Sequence, residues 1–224
     1  MRIAIIQSNY IPWIGYFELI RSVDKFILYE DVQYTKNDWR NRNYLRKNEK
    51  INWLSIPIKH QSLKQRFNEV LVNDNIWTKK HFNTIYHAFS KEKNFKKYEG
   101  ELLSLYNQSA DEIYLYKVNR IFLNWVLSKL NITTEIQYIE KLENHLSPNE
   151  KLINILSQYN NPTYVSGPSA KSYIDEEMFH KNNIAIEFID YDRLLFKYLS
   201  GSDVSSLNFS VIQFLFQKGL RKDD

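Results

Sequence analysis

Cysteine is absent from the 224 residues. That removes disulfides, thiolate metal ligands and any covalent cysteine mechanism. Glycine and proline are scarce, five of each, which argues against a disordered or low-complexity chain. No apolar run approaches the ~18 residues of a membrane-spanning helix. The short run after Met1 and Arg2 falls well short of a secretory signal, so the expectation is a cytoplasmic protein. An excess of one charge is lacking too. The net charge of +4 comes from 30 basic and 26 acidic residues spread along the chain, which permits an anionic ligand without giving a nucleic-acid footprint. His60, His81, His87, His145 and His180 show neither H-x-x-x-H nor H-E-x-x-H spacing, so no metal site is expected. A P-loop and a G-x-S-x-G elbow are missing, and Asp31-Val32-Gln33 offers one acid where metal-dependent glycosyltransferases carry a D-x-D pair.

What the chain has in plenty is aromatic residues, with 16 Tyr, 13 Phe and 5 Trp. A chain of this size can bury roughly 70% of its unfolded surface. Ile3-Ala4-Ile5-Ile6 and Phe26-Ile27-Leu28-Tyr29 are short continuous apolar runs, as strands buried on both faces require. Between them Trp13, Phe17 and Ile20 recur at helical spacing, which gives an opening βαβ unit with parallel strands. A hairpin is expected over residues 44–46 and 51–58, turning at residues 48–50, and a further strand over 67–72. Helices are expected at residues 76–90, 94–106 and 111–130, the last capped by Asp111. Residues 134–139 alternate as a strand. Ser147-Pro148 with Glu150 reads as a capping box. Strands at 163–165 and 184–189, a helical stretch at 171–179 and a packed helix at 209–216 complete the chain. The fold class is therefore α/β: a small, mostly parallel sheet starting with a βαβ unit, with a helical middle region. It is taken as a single domain, residues 1–224, in which 76–131 form a helical insertion or subdomain.

Four stretches carry candidate chemistry. The loop Gln7-Ser8-Asn9-Tyr10-Ile11-Pro12-Trp13 follows the first strand, where open α/β sheets bind ligands, and feeds a helix N-terminus. It offers Gln7, Asn9, Tyr10 and Trp13 as substrate contacts, against a bland reading as a capping turn. After the second strand come Tyr34 and Trp39-Arg40-Asn41-Arg42-Asn43. Guanidinium groups grip phosphate and aromatic rings stack on bases; the alternative is a solvated turn. His81 shares a helix face with Trp77, Ile85 and Ala88, which suits either a core histidine or a general base. As a base it should open onto the cavity it serves. Finally, Tyr164-Val165-Ser166-Gly167 through Lys171 is a strand-to-helix turn whose amides can face an anion.

Together these stretches resemble the WbqC-like protein family of bacteria. The resemblance rests on residues 7–17, Asp31-Val32-Gln33-Tyr34, Trp39-Arg40-Asn41-Arg42, Trp53-Leu54-Ser55-Ile56-Pro57, Trp77 to His81, and Tyr164-Val165-Ser166-Gly167 with Ala170-Lys171. It covers nearly the whole chain. Gln213 stands where the family pattern, Ser-x-x-Asp-x-x-Phe-x-x-Gly, places an acid. The resemblance implies a transferase of O-antigen or capsule assembly, acting by N-acyl or aminoacyl transfer on a nucleotide-linked amino sugar, dTDP or UDP. The donor would be an acyl-CoA or carrier-bound acyl group. On that reading His81 is the base, Arg40 and Arg42 hold the diphosphate, and Trp39 or Tyr34 stacks on the nucleobase. Gln7, Asn9 and Ser166 would orient sugar and acyl groups. Sugar transfer, or nucleotide-sugar binding without catalysis, are the alternatives.

Overall fold

The computed structural model describes residues 1–47, 50–59, 62, 64–141, 145–199 and 204–218. The expected turn at Asn48-Glu49 and His60 lie outside them. In chain order the elements are β1 (Arg2–Ile6), α1 (Ile14–Arg21), β2 (Lys25–Tyr29), β3 (Arg42–Lys47), β4 (Lys50–Ser55), β5 (Ile58–Lys59), β6 (Leu71–Val72), α2 (Ile76–Phe89), α3 (Phe95–Ser109), α4 (Leu115–Lys129), β7 (Glu135–Ile139), α5 (Pro148–Leu156), β8 (Thr163–Ser166), α6 (Glu176–Lys181), β9 (Ala185–Phe188), α7 (Tyr191–Leu195) and α8 (Val211–Gln217). They divide into two compact units. The first is Met1–Gln7, Gly15–Asp31 and Ile132–Val204; the second is Ser8–Ile14, Val32–Asn131 and Ser205–Asp224.

The first unit is built on a five-stranded sheet in the order β7-β2-β1-β8-β9, with every pairing parallel. The opening βαβ unit is present, with Ile3 opposite Lys25 and Ile6 opposite Leu28. Ile3, Ala4, Phe26, Ile27 and Leu28 are fully buried, which is why these strands read as unbroken apolar runs. The strand order reverses between β1 and β8, so Gln7 and Ser166 leave the sheet at the switch point favoured by ligands. The α5 capping box forms as the sequence predicts: the Glu150 amide donates to Ser147 Oγ, and the Ser147 amide donates to the Glu150 carboxylate.

The second unit pairs β3 with β4 and β5 with β6, both antiparallel, and packs α2, α3, α4 and α8 around an aromatic core of Tyr10, Phe89, Phe95, Tyr98, Tyr106, Phe122 and Phe216. Two elements here depart from the sequence expectation. Residues 67–72 are not one strand: Phe67–Glu69 is a 3-10 turn and only Leu71–Val72 pairs. Phe67 and Val70 are the fully buried residues, a spacing of three that belongs to a tight turn and not to a pleat. The helix expected from Asp111 starts at Leu115, with no side-chain cap from Tyr114. The Val72 amide donates to Ile113 O and the Leu115 amide to Val70 O, so this backbone is committed to β6 and cannot wind. In the first unit the stretch 171–179 also splits, into a 3-10 turn at Pro168–Ser172 and α6, whose N-cap Asp175 accepts from the Met178 amide. No helix among the described residues is long and apolar enough to cross a membrane.

Candidate functional site

The site in the second unit is organised by the segment Ser8–Ile14, which has little regular structure yet is almost wholly buried. Such a loop must find partners for each backbone group. Asn43 Nδ2 donates to Tyr10 O at 3.2 Å and to Ile11 O at 2.8 Å, and Ser210 Oγ also donates to Ile11 O. Asn119 Nδ2 donates to Ser8 O and to Arg40 O. The Tyr10 amide donates to Trp39 O, and the Val211 amide to Pro12 O. Held this way, Ile11 sits at φ 40°. The other positive-φ residues are asparagines, which tolerate that region, whereas a β-branched side chain there costs roughly 1–3 kcal/mol. The surrounding amides over-determine the strained turn.

Beside this turn lies a cleft of about 290 Å³ lined by Asn9, Pro12, Trp13, Trp39, Asn43, Tyr44, Asn208 and Phe209. Trp39 is backed by Trp53, with ring centroids 6.0 Å apart and planes 22° apart. Tyr44 meets the Trp53 ring edge-on at 5.3 Å, and the Arg42 guanidinium lies 4.7 Å above it while donating to Asn37 O. Trp39 and Trp53 remain about half exposed. Amide side chains and aromatic rings, with Tyr44 as the one ionisable lining residue, make this a surface for hydroxyls, amides and flat or apolar ring faces.

His81 does not line that cleft. Its ring is buried among Tyr10, Trp77 and Tyr106 at centroid distances of 5.6, 5.1 and 6.3 Å. Nε2 lies 3.2 Å from Ser55 O, and a carbonyl only accepts, so Nε2 carries the proton. Nδ1 is then an acceptor. Tyr10 OH therefore donates to Nδ1 at 2.9 Å, and Tyr106 OH donates to the Tyr10 oxygen at 2.8 Å. Burial pushes the imidazole down to about 4, against the opposing effect of the hydrogen bond that Nε2 donates to Ser55 O. The same burial raises both tyrosines. At neutral pH the triplet is an uncharged latch on the strained turn.

The remaining sequence candidates scatter. Tyr34 is buried, stacks on Phe67 and donates to Asn41 Oδ1; Asn41 in turn donates to Ile56 O, so both are internal braces. Arg40 is buried 3.0 Å from Asp38 and 5.7 Å from the Phe67 ring centre, and desolvation lowers its pKa. Asn9, Trp13 and Trp39 are the candidates that meet in the cleft, with Arg42 beside them on Trp53. In the first unit, Gln7 O accepts from Tyr16 OH at 3.0 Å. Ser166 is buried 3.4 Å from Tyr164 OH, next to Gly167, over which Tyr191 OH packs. Lys171 is exposed, 5.2 Å above the Phe188 ring. Asn208 and Phe209 carry no local motif and come to the cleft only through tertiary structure. Gln213 explains the missing acid: its amide accepts from the Arg46 N–H and donates to Arg46 O, each at 2.7 Å, which a carboxylate cannot do. Among the described residues no group of His, Cys, Asp or Glu is arranged to hold a metal ion.

The pattern of the WbqC-like protein family matches residues 7–223. The chain belongs to the WbqC-like protein family. A relative in this size range, the uncharacterized protein Rv1507c of Mycobacterium tuberculosis, is 36% identical over 225 residues, spanning 100% of this chain and 96% of the relative. No solved structure matches. Within the matched span of this WbqC-like chain, Asn43, Asn119 and Ser210 hold the turn, while Asn9, Trp13 and Trp39 face the cleft.

Proposed function

We propose that the chain is a transferase acting on a nucleotide-linked amino sugar, dTDP- or UDP-linked, in O-antigen or capsule assembly. The reaction is N-acyl or aminoacyl transfer to the sugar amine from an acyl-CoA or carrier-bound donor. The observation that carries the reading is the cleft itself: Asn9, Asn43 and Asn208 beside Trp39, which Trp53 backs. Amides pair with sugar hydroxyls, and a ring held in place by its neighbours stacks on a base or sugar face at little entropic cost. Arg42 supplies the positive charge for the diphosphate. The new C–N bond forms as the donor's C–S bond breaks, and the amine proton leaves with the thiol; with no cysteine in the chain, transfer is direct. In this reading His81 positions Tyr10 and does not take the proton.

One observation favours a second reading, nucleotide-sugar binding without catalysis: Tyr44 is the single ionisable residue of the cleft lining. Incubating the protein with dTDP- and UDP-amino sugars and a panel of acyl donors, followed by mass spectrometry, separates the two. An acylated sugar supports the transferase, and binding without product supports the module. Trp39→Ala should weaken either by ~1–3 kcal/mol; unchanged affinity would move the ligand elsewhere.

A further inference from the structure

Beyond the cleft residue Tyr44, the β3–β4 ribbon carries an exposed face that the cleft does not account for. The register sets Arg42 opposite Ser55, Tyr44 opposite Trp53 and Arg46 opposite Ile51. Strand alternation puts those six residues on one side of the ribbon. The opposite side holds Asn43, Leu45 and Leu54, all buried. The solvent side of such a ribbon ordinarily reads polar. Here Ile51 is 51% and Trp53 49% exposed, and Trp39, 45% exposed, extends the patch by stacking on Trp53. Arg46 is exposed as well. The six face residues include two arginines and no carboxylate.

We propose that this face seats the protein on an anionic lipid surface. Tryptophan favours the headgroup boundary because its ring is apolar and its N–H is not. Ile51 adds an aliphatic tip suited to acyl chains, while Arg46, outside the cleft, meets lipid phosphates. Single-stranded nucleic acid, the other polyanion that takes basic aromatic surfaces, binds by stacking bases on free ring faces. Apart from Trp39, whose free face serves the cleft, the patch offers Trp53, already occupied by Trp39, Tyr44 and Arg42, and Ile51, which has no ring to stack. The chemistry favours lipid. The attachment is at the surface and needs no spanning helix.

The test mixes the full chain with phosphatidylcholine vesicles, with and without phosphatidylglycerol, and reads co-sedimentation and tryptophan emission. The expected result is binding that requires phosphatidylglycerol, shifts emission to the blue and weakens with salt. Arg46→Glu and Ile51→Asp change exposed side chains outside the cleft lining. Each should lower partitioning about fivefold or more, with the melting midpoint and cleft-ligand affinity kept. No binding to phosphatidylglycerol vesicles overturns the proposal, as does undiminished binding in both variants. Capture of a polyuridine oligonucleotide in place of vesicles also overturns it. Because the variants spare the cleft, vesicle binding and nucleotide-sugar binding succeed or fail separately.

Discussion

Titrating His81 from neutral to acid pH interrogates the latch on the Ser8–Ile14 turn. In the folded chain its pKa falls from the ordinary value of about 6.5 to about 4. Between those values the unfolded chain binds a proton that the native chain refuses. Stability therefore rises with pH across this window; the contribution is complete above 6.5 and is lost as the pH falls towards 4. Each unit of separation is ~1.4 kcal/mol, so about 3 kcal/mol should disappear by pH 4. The geometry gives the cause: a protonated ring has two donors, and Nδ1–H would face the hydroxyl that now donates to it. Urea denaturation of the parent and of His81→Gln at several pH values isolates the effect from the carboxylates common to both. Glutamine can still donate to Ser55 O and accept from Tyr10, but it does not titrate. The parent should lose about 3 kcal/mol relative to the variant between pH 7 and pH 4. Parallel curves would refute the buried neutral imidazole. Turnover speaks to the same residue: loss of a general base costs ~10²–10⁴-fold, whereas a latch retained by Gln predicts near-parent turnover per folded molecule.

Arg40→Ala should lower stability by ~2–4 kcal/mol in thermal or urea melts, because it strands Asp38 and strips the cation from Phe67. Arg42→Ala should instead melt like the parent and weaken nucleotide-sugar binding by ~1.5–3 kcal/mol by calorimetry. Asn43→Asp keeps the volume but loses both donations to Tyr10 O and Ile11 O; a urea midpoint equivalent to ~2–3 kcal/mol of destabilisation is expected, and an unchanged midpoint would mean that the turn is held otherwise.

Much of the first unit was legible because its determinants are local or periodic. Unbroken apolar runs announced β1 and β2, and Ser147 with Glu150 announced α5. The failures share a cause. Nothing within residues 111–114 says that their backbone will pair with Leu71 and Val72, so local sequence points to a helix start at a plausible cap that tertiary pairing overrides. For the site, residue type identified Asn9, Trp13, Trp39 and Arg42 as able to bind, and Tyr34, Arg40 and Asn41 look equally able. Their partners separate the two groups: Tyr34 is committed to Phe67 and Asn41, Asn41 to Ile56 O, and Arg40 to Asp38 and Phe67. His81 illustrates the same limit. Its helical face predicted a core-facing ring, but its tautomer depends on Ser55 O and its role on Tyr10, neither of which adjoins it in sequence.

The parallel sheet also has consequences for how the chain must be made. β1 is made long before β8 and β9, yet β8, one of its two neighbours, pairs through Thr163 with Arg2, and β9 pairs in turn through Ala185. Throughout synthesis of the intervening residues, β1 can be paired with β2 on one side only. The other edge presents Ile3, Ala4 and Ile5, an apolar row with open backbone donors and acceptors, to any other chain. Helices α2 and α3, which contact each other across a short stretch of sequence, can settle in the meantime. A chain cut before Thr163 would therefore leave this apolar strand edge open, and would also lack α8, whose Phe216 completes the aromatic core of the second unit.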